Sequence, residues 1–100
     1  MQIVQLSEEF SRIIEVNQDI EELGRGYGGA MGPAEGPVWV KEGSYLLFSD
    51  IHNNRRMKWA ETEGVTIFQE PTRYANGLTL DHKGRIVACE HGSRRVTRQD

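Results

Sequence analysis

An internal repeat constrains this chain more than any single motif. Adding 41 to a residue number carries Glu35 to Asn76, Gly36 to Gly77 and Gly43 to Gly84, and takes Leu46 and Phe48 to Val87 and Cys89. With one residue dropped in the following loop, Arg55 falls on Arg95. EGPVWVKEGSYLLFSD thus lies over NGLTLDHKGRIVACEH. Each copy consists of short runs rich in β-branched and aromatic residues, such as PVWV, RRMKWA and GVTIFQE, separated by Gly, Asn, Glu and Lys. A period of roughly 40 to 50 residues built from four short strands is that of a β-propeller blade. The alternative is chance likeness between two generic hairpins. Tyr45 to Phe48 and Ile86 to Cys89 do not alternate apolar with polar residues, which suits strands covered on both faces. The expected fold is therefore all-β, the N-terminal portion of a β-propeller. It amounts to about one and a half blades, the first over 35–70 and an incomplete second over 76–100.

Ahead of the repeat, residues 1–18 read as an extension carrying a short helix. Ser7 is its N-cap, Glu8 and Glu9 occupy its first turn, and Phe10, Ile13 and Ile14 share one side. From residue 19 the propeller portion begins, with Ile20 to Leu23 as a short strand and then the loop GRGYGGAMGPAEGP. In that loop Gly24, Gly26 and Gly29 mimic the dinucleotide fingerprint, with Asp50 some way downstream. The fingerprint works only where its last glycine opens a helix. Gly32, Pro33, Gly36 and Pro37 leave no room for one.

Charge and composition narrow the classes of function. A net charge of -3 gives no reason to expect affinity for nucleic acid or anionic membranes. No apolar run approaches the roughly 20 residues of a membrane span, and MQIVQLSEEFSRIIEV lacks the form of a secretory signal. A cytoplasmic protein is expected. Cys89 is the single cysteine, so no internal disulfide forms.

The start of each inner strand is where a propeller aims side chains at its channel, and here those residues are Glu35-Gly36 and Asn76-Gly77. Oxygen-bearing side chains converging from several blades suit a hard divalent cation. Spacing alone leaves Glu35 open between that role and a solvated turn residue. Asp50, His52, Asn53 and Asn54 read as a polar turn closed by Asx side chains. Strand parity sets Arg94 and Arg95 on opposite faces, so they form no basic patch. Ser44, Ser49 and Ser93 lack a nucleophile elbow. His52 and His91 lack zinc-like spacing to other ligands.

AEGPVWV, LLFSDIHNNRRMKW and ANGLTLDHKGRIVACEHGSRRVTR resemble the gluconolactonase / senescence marker protein (regucalcin) / luciferin-regenerating-enzyme family, closest to its bacterial gluconolactonase-like branch, over roughly residues 20 to 98. The resemblance implies a six-bladed propeller that hydrolyses sugar lactones. It also implies a divalent cation in the channel, calcium first, with zinc, magnesium or manganese as alternatives. It makes Glu35 a metal ligand, with an asparagine and an aspartate from later blades completing the set. Arg73 is expected on the same footing to line the substrate pocket, Asn76 by its place at the start of the second inner strand, and His91 with Glu90 by ending the following strand, where a purely structural role is the alternative. Arg73 matches the family's sugar-binding arginine by its spacing from Gly77, whereas the family's asparagine position falls on Ala75. The chain is accordingly expected to be an N-terminal fragment holding no catalytic acid/base of its own. A small sugar lactone is its expected partner, with no nucleic acid and no membrane. A non-catalytic propeller module, or another metal-dependent ester hydrolase of the same fold, is the competing reading.

Overall fold

Short apolar runs punctuated by turn residues fold as the sequence predicts. The computed structural model describes residues 3–100. Four strands, β1 (Glu35–Val40), β2 (Tyr45–Asp50), β3 (Arg55–Ala60) and β4 (Gly64–Gln69), form one sheet in the order β1-β2-β3-β4. Three more, β5 (Ala75–Leu80), β6 (Ile86–Glu90) and β7 (Arg95–Gln99), form a second in the order β5-β6-β7. Every neighbouring pair is antiparallel. The architecture is all-β, two antiparallel meanders in tandem.

The sheets meet through β1 and β2 against β5. Leu47, fully buried, stands with Val40, Met57, Ala75 and Ala88 in a small apolar core. Ser49, Asp50, Arg56 and Thr72 are also buried. The interior is therefore unusually polar for its size, and these groups need partners.

Side-chain direction fixes how the copies correspond. Ser49 points to the second sheet, where its hydroxyl reaches Asn76. In the second sheet it is Ala88 and Glu90 that face a cleft shared with Arg56 and Gln69 of the first, while Cys89 and Val96 border a different one. Leu47 and Ser49 therefore correspond to Val87 and Cys89, a shift of 40, and not Leu46 and Phe48 at a shift of 41. The ladder pairs Asp50↔Arg55 and Glu90↔Arg95 agree. Only the inner strands keep the shift of 41. The dropped residue lies earlier than expected, in the hairpin tip. There Val40↔Tyr45 closes a loop over 41–44, whereas the Asp81 amide bonds the Arg85 carbonyl and leaves only 82–84.

The N-terminal segment departs from expectation in form. The helix is a single 3₁₀ stretch, Glu8–Arg12, with the Ser7 hydroxyl accepting from the Glu9 amide. Its apolar residues find no sheet to cover: Ile13 remains 77% exposed. Ile20 to Leu23 join neither sheet. No helix opens at Gly29 beyond the 3₁₀ turn Gly29–Met31, so nothing there can hold a pyrophosphate. Among the described residues no helix is long and apolar enough to cross a membrane.

Candidate functional site

Glu35 is the first residue of β1 and is exposed. The next residue explains how it is held. Gly36 has φ +63°, and a Cβ there would lie 2.2 Å from the carbonyl oxygen of Asn76. Only glycine lets the two inner strands approach this closely. That carbonyl also accepts a 2.6 Å hydrogen bond from Ser49 Oγ, which is buried opposite Glu35 in the ladder. The starts of β1 and β5 are thus laced together, and both strands are irregular there, between Glu35 and Val38 and between Ala75 and Leu78.

The loop that leads into Glu35 is braced by Asp50, whose side chain is fully buried. Its carboxylate accepts from the Gly28 amide at 2.6 Å, from Asn53 at 3.1 Å and from Arg55 Nε at 2.7 Å. Burial alone would push this carboxyl up; the bonds from Gly28, Arg55 and Asn53 outweigh it and hold it below the ordinary aspartate value. The same residue therefore closes its own turn and pins the glycine-rich loop that leads into Glu35. Asn54 performs a parallel task, its Oδ1 accepting from the Thr72 and Tyr74 amides and fixing the entry to β5.

The structure brings some sequence-predicted residues together and separates others. Asn76 and His91 line one cleft of about 460 Å³, with Glu90, Arg94 and Arg95. Arg94 and Arg95 share it despite their adjacency, because Arg94 has φ +55° in the turn before β7 and strand parity does not reach it. Glu35 lines a different cleft, about 390 Å³, with Tyr27, Phe48 and Trp59. Arg73 enters neither. It has φ +55°, and its guanidinium lies 3.6 Å from Glu90 in a third cleft between the sheets. Ala75 is 1% exposed and offers no contact surface.

Glu90 is the acid that lines this cleft with Asn76 and His91. It accepts from the hydroxyls of Ser93 and Thr97, with Arg73 and Arg95 each at 3.6 Å. The Ser93 bond, followed by that of Thr97 and the two guanidiniums, holds its carboxyl below the usual glutamate value. It is an anchored anion, unsuited to delivering a proton near neutral pH.

A hard cation such as calcium takes about six to eight oxygens. Among the described residues no three His, Cys, Asp or Glu side chains converge to hold a metal. Glu35, exposed at the strand mouth, fits as one donor of such a set. Ser49 and Asp50 were not read as supports of the site from sequence. The available signal was the unbroken SD at the end of an apolar run, which burial at that point forces into hydrogen bonding.

The SMP-30/Gluconolactonase/LRE-like region model matches residues 33–100. A gluconolactonase of Zymomonas mobilis is 36% identical over 80 residues, covering 67% of this chain and 22% of that protein. A solved gluconolactonase of Xanthomonas campestris, described as important in glucose secondary metabolic pathways, superposes with a TM-score of 0.64 at 37% identity, over 67% of this chain and 23% of that one. A structure solved as a candidate gluconolactonase gives a TM-score of 0.76 at 31% identity, over 94% of this chain and 31% of its own. The chain therefore spans less than a third of the length of the relatives it matches.

Proposed function

This chain belongs to the SMP-30/gluconolactonase/LRE-like family, and from that premise we propose that it forms the first part of a metal-dependent sugar-lactone hydrolase built as a six-bladed β-propeller. Glu35 is one carboxylate ligand of a divalent cation, calcium first, and the other donors come from further blades. When bound, the cation supplies Lewis acidity at the lactone carbonyl. Asn76 offers an amide to substrate hydroxyls beside His91 in the neighbouring cleft, with Arg73 held close by through Glu90.

The observation that carries this reading is the lacing of Gly36 and Ser49 to the carbonyl of Asn76. It aligns the mouths of consecutive inner strands, which a channel site assembled from several blades requires. Gly77, the counterpart of Gly36, would bring a Cβ only to 3.8 Å from Cys89 Sγ. That leaves room for a third inner strand to approach as β5 approaches β1.

The test uses the polypeptide extended to the length of its relatives. Glu35→Gln is expected to abolish calcium binding in calorimetry and δ-lactone hydrolysis together. Retention of both would refute the assignment. A second reading, a propeller that binds sugars without this chemistry or hydrolyses other esters, is favoured by one feature. Where the family resemblance expects a sugar-contacting asparagine there is Ala75, and it is buried.

A further inference from the structure

The turns that join β2 to β3 and β6 to β7 correspond at the shift of 40. Asp50, Asn53 and Arg55 of the first become Glu90, Ser93 and Arg95 of the second, and their contacts carry over. Asn53 and Arg55 donate to Asp50; Ser93 donates to Glu90, and Arg95 stands 3.6 Å from it. His52 becomes Gly92, where a Cβ would lie 2.8 Å from the Arg73 carbonyl oxygen. Two exchanges have no such structural account, Ile51 to His91 and Asn54 to Arg94. Both His91 and Arg94 line the cleft of about 460 Å³ that contains Asn76. That volume falls within the roughly 300 to 1,000 Å³ usual for a small-ligand site.

Arg94 is the anomaly. It has φ +55°, as Asn54 has φ +57°, a left-handed conformation that asparagine tolerates and arginine disfavours. In the first turn the position serves the fold, since Asn54 Oδ1 accepts from the Thr72 and Tyr74 amides. Arg94 is exposed, and among the described residues its guanidinium enters no ion pair. Backbone strain without a structural return is a mark of functional positions. Glu90, the acid of the same lining, is offset by Arg73 and Arg95, each at 3.6 Å. Arg94 and Arg95 set against Glu90 leave the lining a formal surplus of one positive charge.

We propose, resting on the lactonase reading above, that Arg94 is a specificity-determining residue of this cleft. The lactone it selects carries an acidic group, a carboxylate or a phosphate, at the end remote from the reacting carbonyl. Gly36 sets the start of β1 against Asn76, so a sugar whose carbonyl lies at Glu35 extends past Asn76 and His91 toward the second turn. There the planar guanidinium of Arg94 matches two oxygens of the acid in geometry as well as charge.

The experiment compares δ-gluconolactone with its 6-carboxylate and 6-phosphate analogues, using the polypeptide extended to the length of its relatives. The parent is expected to show a higher kcat/KM for an acidic lactone than for the neutral one. Arg94→Gln should lower that ratio at least about tenfold, through KM, and Arg94→Lys should recover part of it. Arg12→Gln, remote from the cleft, should leave the ratio as in the parent. No preference in the parent, or a ratio that survives Arg94→Gln, would overturn the proposal. The better of the two acidic lactones identifies the acid, and either upholds the subsite. If the parent hydrolyses none of the three, the lactonase reading fails and calorimetry decides the subsite alone. A hexaric acid or a hexitol phosphate bound more tightly than the neutral hexitol, and lost in Arg94→Gln, retains it; equal or absent binding removes it.

Discussion

Gly36 carries more structural consequence than its size suggests. Any side chain there meets a backbone carbonyl at 2.2 Å and must also adopt φ +63°. Gly36→Ala is expected to cost about 2 to 4 kcal/mol, combining left-handed strain with displacement of β5, as read by chemical denaturation. Ser49→Ala should cost about 1 kcal/mol for the lost bond to Asn76. Asp50→Asn removes the charge that holds Arg55 and the Gly28 amide. Because its folded pKa is depressed, the stability Asp50 contributes is complete above the ordinary aspartate value near 3.8 and is lost as pH falls through the lower folded value. The Asn variant should therefore show a flatter acid limb than the parent. Some of this was legible beforehand. The SDIHNN turn announces Asx chemistry, and Glu35-Gly36 announces a close approach. That Ser49 turns inward to the other sheet was not legible, because its partner is a carbonyl 27 residues away and no side-chain pattern marks a backbone acceptor.

At the scale of elements, all seven strands could be read from their apolar runs and bounding turn residues. The N-terminal helix was overread. Phe10, Ile13 and Ile14 have helical spacing, but a helix this short depends on a surface to bury its stripe, and no sheet face covers Ile13. The position of the dropped residue was also misread, because Gly43 and Gly84 align at the same shift as the inner strands and hide the shorter tip beside them. That tip is a small electrostatic device. Asp81 accepts from the Arg85 amide and guanidinium and from the Lys83 amide, which hold its carboxyl down to about 2 from 3.8. The tip's contribution is thus present above pH 3.8 and fades toward pH 2. Carbon-13 titration of Asp81 should give a midpoint about 2, rising toward the ordinary value in Arg85→Met.

For the whole molecule, the radius of gyration is 15.1 Å, against about 13 Å for a compact domain of this length. Two tandem sheets make an open array, and fewer than about three repeats are marginal without neighbours. The isolated chain is expected to give no δ-lactone turnover above background with added calcium or zinc. Gly77→Ala separates the open array from a closed ring: within about 0.5 kcal/mol of the parent in this chain, but a loss of more than about 2 kcal/mol in the polypeptide extended to the length of its relatives. The grip exerted by Gly36 and Ser49 has a further corollary. Both hold the main chain of residue 76, never its amide group, so the fastening is indifferent to which amino acid stands there. Exchange of Asn76 for Ser, Asp or His should therefore spare the architecture, which leaves this position free to vary on an unchanged frame.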